Sequence, residues 1–181
     1  VAAAKNWKVE YQVDSRHPDV QTIIATTPHL RSAQISEFSE YNFHRRLARL
    51  AMQIDQGDGY RSGDQILIVI DAHGYPVSIS GRSRIDVIGT QTYPIWSMEE
   101  VISAAKKKNV RIAIVYGTCY SGVALNELND RVGRDQICFA GASPATRVGF
   151  VSFSQGFLES VARSRNAEEA YLNARRFDRF N

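Results

Sequence analysis

Two short apolar runs restrict what this chain can fold into. Residues 66–70 (ILIVI) and 112–116 (IAIVY) show no alternation of apolar with polar side chains. A strand with one wet face alternates. A run that is apolar throughout needs cover on both faces, as central strands of parallel sheets have. Helical patterns lie between and around the two runs. The order reads strand, helix, strand, insertion, helix, strand, helix, strand, helix, helix. That order predicts an α/β fold, with a mostly parallel central sheet and helices on both faces.

Residues 1–20 read as an N-terminal arm, in which 7–13 alternate weakly as an edge strand or hairpin arm. β-branched residues over 21–27 predict a short strand closed by Pro28. Phe38, Tyr41, Phe43, Leu47, Leu50, Ala51 and Ile54 recur at three- and four-residue steps, so a helix is expected from Ser32 or Ser36 to Gln53. Gly57, Gly59, Ser62 and Gly63 form the loop before the first apolar run. The pattern over 75–96 is less regular and reads as an insertion, with 78–83 and 85–92 as its hairpin. Ser97, with Glu100 three residues later, caps a helix that Asn109 ends. A short helix over 122–128 and a strand over 136–140 follow, the strand closed by Gly141, Ala142, Ser143 and Pro144. Ser152 or Ser154 opens the next helix, and Asn166 caps the last, which runs to about Phe177. No repeat or linker divides the chain. Its 181 residues suffice for one domain with a sizeable core, so residues 1–181 are expected to form a single domain.

The net charge of +3 is scattered, apart from Lys106, Lys107 and Lys108 and the group Arg175, Arg176 and Arg179. Both clusters fall on expected helices and read as solvated faces, so no nucleic acid is expected as a partner. No apolar run has the length of a membrane span. Two cysteines, Cys119 and Cys138, do not make a disulfide framework. That count fits a reducing compartment and equally allows an exported enzyme. The chain opens on Val1 rather than Met, which fits a processed form or a domain of a longer protein. Nothing in the pattern specifies an oligomeric state.

Both apolar runs end on chemistry. The first is followed by Asp71, Ala72, His73 and Gly74, the second by Gly117, Thr118, Cys119, Tyr120, Ser121 and Gly122. The C-terminal ends of parallel strands open onto one sheet edge, where α/β folds bind ligands. If the strands are neighbours, a thiol and an imidazole meet there. A catalytic cysteine needs a thiolate, a base and donors for an oxyanion. Cys119 and His73 supply the first two. The backbone N–H groups of Gly74 and Cys119 can cradle the oxyanion, and the helix opening at Ser121 and Gly122 turns its positive dipole end toward the thiolate. The bland alternative makes Cys119 a buried small hydrophobe and His73 a turn residue. The shared edge and the small neighbours of both favour the pair. His17 and His29 sit beside prolines in loops, His44 lies on a helix, and Cys138 reads as mid-strand core. A phosphatase loop would need an arginine where Leu125 stands. There is no Cys-x-x-Cys, and two separate cysteines without matching histidine pairs make a poor zinc site, so neither a metal nor a cofactor is expected.

His73-Gly74 after one apolar strand and Cys119-Tyr120-Ser121-Gly122 after another resemble the caspase-like superfamily of cysteine peptidases. That group includes caspases, metacaspases, legumains, clostripain, gingipains and separases. Cys119 follows His73 by 46 residues, close to the roughly 50 of caspases. The small-x-Cys-x-Ser-Gly form is most similar to the metacaspase and legumain style, and Gly117 stands where caspases carry glutamine. The likeness covers residues 20–165, carried by the two motifs and the element order. It implies a single caspase-like domain, a protein or peptide substrate, and a Cys–His dyad without a cofactor. In that dyad Cys119 attacks the scissile carbonyl and His73 protonates the leaving amine, in a peptidase able to process itself.

Asp71, two residues before His73, would share its face by strand alternation and orient the ring, or it is simply a polar strand end. In clostripain, metacaspases and legumain an acidic residue two before the cysteine helps form the specificity pocket. Here that position is Gly117. A basic substrate side chain would then need a carboxylate from Asp71 or Asp86 to offset its desolvation. Without one the pocket is neutral and suits an apolar residue such as Leu, as in the self-processing toxin proteases of the superfamily. Ser143 stands where the family builds a pocket wall, and Thr26 and Thr27 end the first strand at the same edge. Rival readings are a caspase-like fold kept for protein interaction, a legumain-like transpeptidase in which an amine replaces water, and an α/β domain whose Cys and His never meet.

Overall fold

The computed structural model describes residues 10–13, 21–22, 25–26, 34–71, 73–74, 84–87, 91–94, 98–133, 138–143, 151–161 and 163–175. Its elements in chain order are β1 (Glu10–Val13), β2 (Gln34–Glu37), α1 (Glu40–Gln56), β3 (Gln65–Ile70), β4 (His73–Gly74), β5 (Arg84–Val87) and β6 (Gln91–Pro94). Then come α2 (Glu99–Lys107), β7 (Arg111–Tyr116), α3 (Ser121–Val132), β8 (Cys138–Gly141), α4 (Val151–Val161) and α5 (Ala167–Arg175).

The two apolar runs are β3 and β7, and they lie side by side. Both pair in parallel, with β8 on the far side of β7, so the order is β3-β7-β8. Their composition follows from cover on both faces. Ile66, Ile68 and Ile70 of β3 and Ile112, Ile114 and Tyr116 of β7 pack against Leu47, Leu50 and Ile54 of α1, Val101 and Ile102 of α2 and Leu128 of α3. The alternate residues Leu67, Val69 and Val115 pack the other way, against Phe153 and Phe157 of α4 and Ala170 and Ala174 of α5. Each fully buried aliphatic side chain of this kind contributes about 1.5–3 kcal/mol. The expected α/β class, with a parallel sheet between two helical layers, is the observed one among the described residues.

Two small sheets flank this core. β1 and β2 pair in parallel, and β4-β5-β6 form an antiparallel sheet. The hairpin of the second sheet pairs 84–87 with 91–94, so the chain reverses within the stretch 85–92 that was expected to be a single strand, and 78–83 lie outside the described residues.

Several boundaries differ from expectation for local reasons. Positions 21, 22, 25 and 26 are helical, not part of a strand. The Thr26 hydroxyl donates to the Thr22 carbonyl one turn earlier at 2.8 Å, a bond that makes a β-branched threonine compatible with a helix. The parallel partner of β1 is β2, within the stretch expected to start α1. That helix begins only after Ser39, whose hydroxyl accepts the Asn42 N–H at 3.1 Å while the Asn42 amide donates to the Glu37 carbonyl. Periodicity alone carries no such mark of where a strand hands over to a helix.

α1 ends at Gly57, which takes the left-handed conformation (φ 72°) that glycine adopts without a Cβ penalty. The N-cap of α2 is the buried Met98, and Ser97 lies outside the described residues. α3 is longer than expected, and α4 begins ahead of both serines proposed to cap it. Asn166 caps α5 as expected, its Oδ1 accepting the Glu169 N–H at 2.9 Å. Cys138 opens β8 and is exposed, which corrects its reading as core. Only Ala140 of that strand is buried, and among the described residues β8 is an edge strand. No helix among the described residues is long and apolar enough to cross a membrane.

Candidate active site

The last register pair of β3 and β7 is Ile70 with Tyr116, and the Gly117 N–H extends the ladder by donating to the Ile70 carbonyl at 2.7 Å. His73 lies three residues past Ile70, and Cys119 three past Tyr116. Neighbouring strands run about 4.8 Å apart. The segments bearing the imidazole and the thiol therefore leave one sheet edge side by side, at equal distances along the chain.

Beyond that edge the two segments part. His73 opens β4, where its register partner is Asp86 and that of Gly74 is Ile85. Cys119, half-buried, sits in a tight turn ahead of α3. The next residue, Tyr120, is left-handed (φ 54°, ψ 27°), a conformation that costs a non-glycine residue about 1–2 kcal/mol. The surroundings must hold it there, and they do so from the β8 side. Ser121 Oγ donates to the Ser143 carbonyl at 2.9 Å and accepts the Ser143 N–H at 2.9 Å. Ser143 Oγ accepts the Ser121 N–H and donates to the Thr118 carbonyl, each at 3.3 Å. The Gly122 N–H donates to the Ser143 carbonyl at 3.0 Å. Thr118, Ser121 and Ser143 are all buried. These bonds pin both ends of the Cys119 turn to the end of β8.

This arrangement refines the expected roles. Ser143 lies beneath the turn, with its hydroxyl and both backbone groups engaged in holding it. The first two N–H groups of α3 are taken by Ser143, so they serve the latch. Gly117 is half-buried, and its N–H is part of the ladder. Asp71 is exposed and follows β3, whereas His73 belongs to a different strand in a different sheet. No single strand therefore contains both Asp71 and His73. Thr26 is exposed on a helical segment and not at a strand end, and Thr27 lies outside the described residues.

Three features of the site went unread in the sequence. Gly141 is one: a Cβ there would meet Ser121 Oγ at 2.6 Å. Tyr116 is another, wholly buried with its hydroxyl donating to Met98 Sδ at 3.3 Å. Burial, and then the charge of Glu127, push that phenol far above its ordinary range. The left-handed Tyr120 is the third. The available signal was the pair of small-residue runs, Ser121-Gly122 and Gly141-Ala142-Ser143, each placed just after an apolar strand. Cys138, the second thiol, is exposed as a residue, but partial desolvation of its sulfur and then the charge of Glu168 push it up. Among the described residues no group of three His, Cys, Asp or Glu side chains could hold a metal ion. No protein-family model matches this chain, and no curated protein matches it.

Proposed function

We propose that this chain is a cysteine endopeptidase of the caspase-like kind, with Cys119 and His73 as its dyad. One observation carries the reading: on adjacent parallel strands in register, the thiol and the imidazole follow the last paired residues by the same three positions. The left-handed Tyr120 and the buried serine latch give further support, because a strained turn held from below keeps a nucleophile in a fixed place.

In this reading the Cys119 proton passes to His73, and the thiolate attacks the scissile carbonyl. The tetrahedral intermediate collapses to a thioester and expels the amine, which takes its proton from His73. Water, losing a proton to the same ring, then hydrolyses the thioester and restores the thiol. The substrate is a protein or peptide, including segments of the chain itself. Gly117 leaves the wall next to the nucleophile without a carboxylate, which favours a neutral pocket.

The test is a panel of peptidyl acyloxymethyl ketones bearing Arg, Lys, Asp, Asn or Leu beside the warhead. At least one, with the Leu reagent foremost, should add its mass to Cys119 in the wild type and not in His73→Ala. If the whole panel leaves Cys119 unmodified while labelling a control protease, the dyad reading fails.

A further inference from the structure

We infer that Ser143 is the positioning residue of the Cys119 nucleophile, its hydroxyl acting through the peptide plane that joins Thr118 to Cys119; the inference rests on the peptidase reading above. A hydroxyl has one proton to give and lone pairs to accept with. The Ser121 proton goes to the Ser143 carbonyl at 2.9 Å. Ser143 Oγ, 3.5 Å from Ser121 Oγ, gives its own proton to the Thr118 carbonyl at 3.3 Å, since a carbonyl can only accept. A lone pair of the same oxygen takes the Ser121 N–H at 3.3 Å. One buried side chain thus grips the residue just before Cys119 and the second residue after it.

The first grip is the one that reaches the nucleophile. The Thr118 carbonyl, the Cys119 N–H and the Cys119 Cα belong to one planar peptide unit, and no peptide bond among the described residues is cis. Holding the carbonyl toward Ser143 Oγ turns the Cys119 N–H the opposite way and sets the plane from which the cysteine side chain departs. The neighbouring anchors act elsewhere. Upstream, the Gly117 N–H is tied to the Ile70 carbonyl, and the Tyr116 carbonyl takes the Ala142 N–H at 2.9 Å. Downstream, the backbone groups of Ser143 hold Ser121 Oγ and the Gly122 N–H, and with them the start of α3. The left-handed Tyr120 stands between Cys119 and that downstream anchor. The backbone of Ser143 therefore secures the helix, while its hydroxyl aims the thiol. Aim matters because a misplacement of about 1 Å at a reacting atom costs up to about a hundredfold in rate.

Ser143→Ala removes the hydroxyl and keeps both backbone groups. The experiment applies two reagents to Cys119, read by site-resolved mass. One is the fastest ketone of the panel, which reacts only in an aimed geometry. The other is iodoacetamide, which needs only an accessible thiolate. In Ser143→Ala the limiting rate of ketone labelling should fall about tenfold, and the concentration giving half that rate should stay within about twofold. The iodoacetamide rate and its pH profile should not move. Ser143→Thr keeps the hydroxyl and should recover most of the ketone rate. If Ser143→Ala does not fold, Ser143→Cys, whose thiol is a weak donor, takes its place with the same expectations. The inference is overturned by an unchanged ketone rate, by equal slowing of both reagents, or by a Ser143→Thr as slow as Ser143→Ala. A panel that leaves wild-type Cys119 unmodified sinks the peptidase reading and this inference with it. A wild type that labels no faster than Ser143→Ala sinks the inference alone.

Discussion

Ser121 and Ser143 hold each other by a reciprocal pair of hydrogen bonds. The hydroxyl of the first donates to the carbonyl of the second and accepts its N–H, both at 2.9 Å. A single buried hydroxyl thus joins the start of α3 to the chain just past β8, with the Cys119 turn between. Ser121→Ala leaves the Ser143 N–H buried without that acceptor. The expected loss is about 1–3 kcal/mol, read as a lower urea midpoint at unchanged slope. Labelling of Cys119 by the best ketone should slow in the same variant. Equal stability of variant and wild type would refute this role.

Gly141 owes its identity to the same hydroxyl. Gly141→Ala would bring a methyl carbon to 2.6 Å from Ser121 Oγ, so the hydroxyl must swing out of its bonds. The single substitution should cost about 1–3 kcal/mol. Combined with Ser121→Ala, it should cost less than the two single losses together, because the clash and the bonds share one atom. A double-mutant cycle by denaturant unfolding measures the difference. Strict additivity would separate the glycine from the latch.

Tyr116 makes alkaline stability informative. Its phenol is held protonated far above the ordinary value near 10 when folded, and it ionises normally once unfolded. The unfolded state therefore loses a proton that the native state keeps, and stability falls as pH rises above about 10. Tyr116→Phe gives up only a weak bond to sulfur and should lie within about 1 kcal/mol of wild type at neutral pH. Above about pH 10 its stability should fall less steeply, by up to about 1.4 kcal/mol per pH unit. Parallel slopes for the two proteins would contradict the assignment.

The two thiols should also separate chemically. Although Cys138 as a residue is exposed, partial desolvation of its sulfur and then the Glu168 charge push the thiol up, which lowers the thiolate available at a given pH. Iodoacetamide should therefore modify Cys138 more slowly near pH 8 than a small free thiol, with site-resolved mass as the readout. Glu168→Gln should speed the reaction without bringing it to the rate of the free thiol, since the charge is the lesser of the two causes. Modification at the rate of the free thiol would remove this account of the Cys138 environment.

Some of this molecule can be read from the chain in one dimension. After their exposed first residues, Gln65 and Arg111, β3 and β7 are apolar on both faces because helices cover both. That requirement is written residue by residue into 66–70 and 112–116. The cap at Asn166 was legible for a similar reason, since its side chain bonds within its own first turn. The helical residues at 22 and 26 and the exposed Cys138 were not legible. A β-branched pair or a cysteine flanked by apolar residues carries only a weak preference, which neighbours elsewhere in the chain override.

The sequence alone determined the α/β class, the two buried strands, and a thiol and an imidazole each just beyond one of them. Tertiary structure decided the rest. It set β3 beside β7 in the register that gives His73 and Cys119 equal offsets, brought Ser143 beneath the Cys119 turn, and put Asp86 opposite His73. The physical reason is that periodicity records which face of an element is buried. Pairing and register depend on contacts between residues far apart in the chain, and a shift of one residue would turn every side chain of a strand to its other face.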